Sequence, residues 1–153
     1  MSEKAKIVIV EDEAIIALTL TAALTRLGYS VGAHFTTGED LIEYLNMLPD
    51  NYVPDLILMD ITLAGKLDGI ETVNIVKSKH DIPVIYLTAF SNETIIKKAK
   101  VSEPYAYILK PFNERELHIS IEIALYKYQS ELKIKKSEYY KKRIIARLIS
   151  INT

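Results

Sequence analysis

The chain contains no cysteine. That excludes a disulfide-stapled scaffold, a metal site built on thiolates and catalysis by a cysteine nucleophile, and it fits a reducing compartment. Glycine is scarce too. Gly28, Gly32, Gly38, Gly65 and Gly69 form no G-x-G-x-x-G, so a phosphate-cradling loop of the dinucleotide-binding type is missing. The three histidines, His34, His80 and His118, lie far apart without metal-ligand spacing, and no Ser-His-Asp arrangement is present. No apolar run approaches the roughly 20 residues that span a bilayer. The first residues, Met1 to Lys6, lack the apolar stretch of a signal peptide. A cytoplasmic protein without a membrane segment is expected.

What is there suits one domain with an appendage: 153 residues, 49% hydrophobic and 25% charged. The formal net charge of −1 hides an asymmetry. Residues 127–153 hold eight Lys/Arg against two Glu, a net +6, and residues 1–126 hold eleven against eighteen Asp/Glu, a net −7. An acidic body carries a basic tail, and the two need separate explanations.

Short apolar runs alternate with helical patterns along the body. Ile7-Val8-Ile9-Val10 reads as a buried strand, followed by Ile16, Leu20, Ala23, Leu24 and Leu27 on one helix face, with Gly28 at its end. Tyr29 to Ala33 is a weaker strand. Leu41, Leu45 and Leu48 mark a second helix stopped by Pro49. Leu56-Ile57-Leu58-Met59 is a third strand, and Ile70, Val73 and Val76 a third helix. Pro83 to Leu87 is a fourth strand, residues 92–101 a polar helix, and Tyr105 to Leu109 a fifth strand. After Pro111, Leu117, Ile119, Ile121 and Ile123 alternate as in a strand, but Leu117, Ile121, Ala124, Leu125 and Tyr128 follow helical spacing. Asn113 as a cap with Glu116 three residues on favours a helix that runs to Leu132. The fold class is therefore α/β: a (βα)5 chain whose parallel sheet is covered on both faces, with an extended basic C-terminal helix.

Open parallel sheets bind ligands beyond the carboxyl ends of their strands. There the chain places Glu11-Asp12-Glu13, Asp60, Thr88-Ala89 and Lys110-Pro111. Clustered carboxylates repel one another unless a cation joins them, and an all-oxygen donor set suits Mg²⁺ or Mn²⁺. A metal beside a carboxylate also offsets the repulsion between that nucleophile and an anionic phosphoryl donor. Lys110 supplies a point charge for a phosphoryl oxygen and Thr88 a hydroxyl donor. A carboxylate nucleophile gives an acyl phosphate, and Asp60 is the candidate nucleophile. Each residue alone has a plainer explanation: Asp12 a helix cap, Asp60 a loop start, Thr88 a capping hydroxyl, Lys110 a surface lysine. The case rests on all four together at the ends of the appropriate strands.

These pieces, Val8-Ile9-Val10-Glu11-Asp12-Glu13, Leu58-Met59-Asp60, Asp68-Gly69, Leu87-Thr88-Ala89 and Lys110-Pro111-Phe112, resemble a receiver domain of two-component response regulators over about residues 5–128. The resemblance implies strand order 2-1-3-4-5, and a division into a receiver domain at 1–128 and a basic helical extension or truncated linker at 129–153. It implies that Asp60 is the phosphoacceptor, served by a sensor histidine kinase or a phosphotransfer protein. Asp12 would be a direct Mg²⁺ ligand, Glu11 a water-mediated one, and the backbone carbonyl of Thr62 the third protein ligand. Thr88 would be the switch hydroxyl, Tyr107 the switch aromatic, and Lys110-Pro111 a cis peptide. By the same resemblance, phosphorylation reshapes the surface of helix 4, strand 5 and helix 5, where a homodimer could form. Two departures stand out. The loop Ile61 to Gly69 is one residue longer than in many relatives, with Gly65 in place of a proline-directed turn. Phe90, two residues past Thr88, is bulky enough to block water, so slow self-dephosphorylation is expected.

The tail follows helix 5 without a Pro or Gly break. Ile121, Leu125, Tyr128 and Leu132 keep a coiled-coil spacing that Lys135 interrupts; Ile144, Ile145, Leu148 and Ile149 form a second stripe. Three readings stay open: a helix for self-association or a partner, a linker cut from a longer protein, and a basic patch for RNA or DNA. Two other functions compete for the body. A phosphatase of the haloacid-dehalogenase type uses an aspartate nucleophile with Mg²⁺, but needs a second Asp where Thr62 stands, and a nucleophile after strand 1. A flavodoxin-like carrier shares the topology, but Glu11-Asp12-Glu13 would repel the flavin phosphate.

Overall fold

The structure, a computed structural model, describes residues 4–89 and 93–151, the last of these without its side chain. Phe90, on which the expectation of slow dephosphorylation rests, lies outside the described residues. Strands β1 (Lys6–Val10), β2 (Ser30–Phe35), β3 (Leu56–Asp60), β4 (Val84–Thr88) and β5 (Ala106–Leu109) alternate with helices α1 (Ala14–Arg26), α2 (Gly38–Met47), α3 (Gly69–Lys77), α4 (Glu93–Val101) and α5 (Glu114–Ile151). A short 3-10 turn, Asp50–Tyr52, follows α2. The strands form one parallel sheet in the order β2-β1-β3-β4-β5. This is the expected order. It reverses direction at β1, so the crevice for a ligand opens where β1 and β3 end.

Successive strand residues face opposite sides, and in the central strands β1, β3 and β4 both sides are dry. Val8 and Val10 pack with Ile57, Met59, Val73 and Val76 under α2 and α3; Ile7 and Ile9 pack with Leu20, Leu24, Leu58 and Ile121 under α1 and α5. Each such buried aliphatic side chain contributes about 1.5–3 kcal/mol. That burial explains why the strands are continuous apolar runs and why all five residues of β3 are buried, Asp60 included.

Element boundaries differ by a residue or two from the sequence reading. Strand β2 starts at Ser30 and runs on to Phe35, because Tyr29 closes α1: its backbone N–H donates to the Leu24 carbonyl at 3.0 Å while Gly28, at φ 94°, makes the turn. Strand β5 starts at Ala106, not Tyr105. The ambiguity after Pro111 resolves as helix. Leu117, Ile121 and Ala124 are buried, whereas Ile119 and Ile123 are about half exposed. The Asn113 side chain caps this helix, accepting from the Glu116 N–H at 2.7 Å.

Helix α5 continues far past Leu132. From Glu131 to Ser150 every residue is exposed, a projection of about 30 Å at 1.5 Å per residue. Its root is fastened to the body. The Tyr128 hydroxyl donates to the Asp81 carbonyl at 2.8 Å, the Tyr105 hydroxyl donates to the Glu131 carboxylate, and the two tyrosine rings meet edge to face at 6.4 Å.

Candidate functional site

Three carboxylates converge at the carboxyl end of the sheet. One oxygen from each of Glu11, Asp12 and Asp60 lies within 4.8 Å of the others. Glu11 is fully buried and Asp60 is 4% exposed; Asp12 is half-buried. Lys110, carried to the spot by β5, donates to Glu11 Oε1 at 2.6 Å and lies 3.4 Å from Asp60 Oδ2. The Lys110–Pro111 peptide is cis, as the resemblance implied. Thr88 ends β4 with 2% exposure, one strand over from Asp60, and its carbonyl accepts from the Lys110 N–H at 2.8 Å. A cavity of about 730 Å³ opens over the cluster, lined by Asp12, Asp60, Thr62 and Lys110 together with the apolar Ile16 and Phe112.

The plain capping explanation for Asp12 does not hold. Glu13 is the cap residue of α1, and its side chain makes no capping hydrogen bond. Asp12 Oδ2 instead accepts from the Ala64 N–H at 2.9 Å, across to the loop after β3. Asp60 Oδ1 accepts from the Thr62 N–H at 3.1 Å. Asp68, in contrast, is a true cap. It forms a reciprocal capping box with Glu71, which starts α3 right behind the phosphoacceptor candidate. Gly69 is required there: a Cβ would stand 2.1 Å from the Asp60 carbonyl oxygen.

Electrostatics mark Asp60 as the unusual group. Burial raises its pKa well above the ordinary carboxylate range, and Glu11 raises it further; Lys110 and the Thr62 N–H pull the other way and lose. Burial alone would lower the Lys110 pKa, but Glu11 and Asp60 outweigh that and the net shift is upward. The charge set is thus short of one cation: two buried carboxylates and Asp12 face a single ammonium. An all-oxygen cluster at the mouth of an open cavity fits a hard divalent ion such as Mg²⁺.

Tyr107 sits apart from the cluster, on β5. Its ring stacks on that of Tyr86 at 6.0 Å and 28°, and its hydroxyl is buried without a hydrogen-bond partner. Tyr86 is fully buried and shares a 2.6 Å hydrogen bond with Ser102.

Two residues escaped the sequence reading. His34 is exposed on β2, and its Nε2 lies 2.9 Å from the Glu11 carbonyl oxygen, a contact beside the cluster that the sequence does not announce. Glu39, at the start of α2, accepts from the Leu67 N–H at 2.8 Å. Only the register of β2 beside β1 and the packing of α2 reveal either, and neither is written in a local motif.

A parallel doubly wound sheet with an acidic cluster and a lysine at its switch point belongs to the class of open α/β domains that carry their site at the carboxyl edge of the sheet. The comparisons name the family. The response regulator receiver domain model matches residues 7–122, and the chain belongs to that family, which acts in two-component signalling. The transcriptional regulatory protein PdtaR of Mycobacterium tuberculosis is 32% identical over 124 residues, 81% of this chain and 58% of PdtaR. YrkP of Bacillus subtilis, an uncharacterized transcriptional regulatory protein, is 32% identical over 80% of this chain and 50% of its own length. The chain therefore spans little more than half of these relatives. Among solved structures, the signal receiver domain of a modulated diguanylate cyclase from Desulfovibrio desulfuricans G20 aligns with a TM-score of 0.77 and 34% identity, covering 84% of this chain and 99% of that one. A fusion bearing a trimeric coiled-coil segment of yeast Spc42 aligns over 100% of both chains, with a TM-score of 0.79 and 29% identity.

Proposed function

We propose that the chain accepts a phosphoryl group on Asp60 from the phosphohistidine of a sensor kinase or phosphotransfer protein, in the cytoplasm, and that its catalysis is confined to this transfer and to its reversal by water. The observation that carries the reading is the buried Asp60 carboxylate, held between Glu11, Asp12 and Lys110 with its pKa raised. An Asp60 oxygen attacks phosphorus, the phosphorus–nitrogen bond breaks, and the imidazole leaves. Hydrolysis then releases inorganic phosphate and restores the carboxylate. Asp12, Asp60 and the Thr62 carbonyl are the ligands assigned to Mg²⁺ or Mn²⁺, with Glu11 acting through water. The ion would supply the missing positive charge for an anion-on-anion reaction. Lys110 leaves its contact with Asp60 to hold a phosphoryl oxygen, and Thr88 donates to another.

Thr88 and Tyr107 are the switch in this reading. Drawing Thr88 toward the phosphoryl group opens space that the Tyr107 ring occupies, and the α4–β5–α5 surface shifts its population. The buried, unpartnered Tyr107 hydroxyl and the ring stack on Tyr86 support a site that admits the ring. Addition of beryllofluoride with Mg²⁺ tests the assignment. Amide resonances of β4, β5 and α4 shift in the parent and stay put in Asp60→Ala; equal shifts in both sink it.

The division at residue 128 belongs to the same proposal, with residues 129–153 as a helical arm that self-associates. Burial ends near Ser130, and apolar side chains at Ile134, Tyr139, Ile144, Ile145 and Leu148 stand in solvent. The full-length match to a fusion built on a coiled-coil segment supports this over nucleic-acid binding.

A further inference from the structure

The loop between β3 and α3, residues 61–68, hangs from carboxylates. Its backbone N–H groups donate to Asp60 from Thr62, to Asp12 from Ala64, to Glu39 from Leu67 and to Glu71 from Asp68. Three of these acceptors lie in the site or in the adjoining helix cap. Glu39 is the outsider, brought from α2, 28 positions away in the chain. Its position is itself fixed: Thr37 caps α2, accepting from the Asp40 N–H at 3.2 Å, and a Cβ on Gly38 would collide with Thr72 of α3 at 1.9 Å. Glu39 also flanks the loop's flexible point. Gly65 has φ 110°, and a Cβ there would lie 3.4 Å from Glu39 Oε2.

We infer that Glu39 is a positioning residue for the metal site, acting through the loop's backbone; the inference rests on the Mg²⁺-dependent reading above. Ala64 and Leu67 bracket Gly65 and Lys66, the stretch with the most backbone freedom. Asp12 holds the front of this stretch and Glu39 the back. Asp12 is the only one of the two that is also an assigned ligand. With the Glu39 bond removed, the Gly65 stretch keeps its front tether at Asp12, but its back is held only from Asp68 onward, by Glu71; the longer free stretch passes its motion to the Asp12 carboxylate and to Thr62, which lines the same cavity. Outer partners that orient metal ligands change affinity by about 10-fold or more when removed.

Binding of Mn²⁺, followed by electron paramagnetic resonance of the free ion, tests this in the full chain without any turnover. Glu39→Ala keeps a good helix former on α2 and weakens Mn²⁺ binding about tenfold. Glu39→Gln loses the charge but keeps a carbonyl acceptor, and binds Mn²⁺ like the parent. Thermal unfolding of both variants without metal stays near the parent; should Glu39→Ala unfold, Glu39→Met takes its place. Parent-like Mn²⁺ binding by Glu39→Ala overturns the inference. So does equal weakening in Glu39→Gln, which would mean that the charge acts and not the hydrogen bond. A parent that binds no Mn²⁺, or binds it as well in Asp12→Asn, contradicts the underlying reading instead.

Discussion

Asp60 shows what a buried carboxylate costs the fold. Its carboxylate is buried, its pKa is raised by burial and by Glu11, and the ionised form is therefore penalised at neutral pH. A group whose folded pKa is raised in this way, being an acid, destabilises the native state wherever it is ionised there. The penalty is full above the folded pKa and fades as pH falls toward the unfolded value near 3.8. Asp60→Asn is accordingly expected to raise metal-free stability at pH 8 by about 1–3 kcal/mol, and the gain should shrink toward zero at pH 4. Urea unfolding at the two pH values checks this; a gain that is absent or independent of pH contradicts it. Phe90 offers a second residue-scale test, motivated by its bulk alone. Phe90→Glu should shorten the acyl-phosphate lifetime, and an unchanged decay rate removes the idea that Phe90 excludes water. At this scale the sequence was most legible where chemistry repeats at strand ends. Glu11, Asp12, Asp60, Thr88 and Lys110 could be singled out because each follows an apolar run. Glu39 and His34 could not, because nothing local distinguishes a helix-start glutamate or an edge-strand histidine from any other.

Among the elements, the central strands β1, β3 and β4 are the most legible, because burial on both faces leaves a continuous apolar run; the edge strand β2, with exposed Gly32 and His34, is weaker, and its ends shift where a backbone motif intervenes. Tyr29 is the example: it looks like a strand residue, and the turn at Gly28 holds its N–H to Leu24. The start of α3 ties an element to the site. Gly69 lies so close to Asp60 that Gly69→Ala must push the helix or Asp60 aside. A loss of about 3 kcal/mol in stability is expected, together with slower phosphorylation; a variant as stable as the parent would contradict this close approach. The far end of α5 is a different case. Its apolar residues fall into two stripes separated by Lys135 and Lys136, so the pattern announced a helix and left its partner open. Light scattering on the parent and on a chain ending at residue 131 decides whether the arm self-associates. The parent is expected as an oligomer and the shortened chain as a monomer with an unchanged melting midpoint. Two monomers would contradict the assignment.

Across the molecule, the near-zero charge is a cancellation between two regions with different work. Part of the body's −7 is concentrated in Glu11, Asp12 and Asp60, where a single lysine leaves a deficit of positive charge. The tail's +6 lies on a helix that leaves the body near residue 130 and takes no part in that site. Residues 11, 60 and 110 are far apart in the chain; the parallel topology, legible in the alternation of apolar runs and helices, makes them meet by setting every strand's carboxyl end on one edge. The central claim is that this meeting makes Asp60 a phosphoacceptor. Intact-mass measurement after exposure to an acyl phosphate donor with Mg²⁺ tests it most directly. One added phosphoryl group is expected on the parent, lost on removal of Mg²⁺ and absent in Asp60→Asn. An unmodified parent, or an Asp60→Asn variant modified to the same extent, would contradict it.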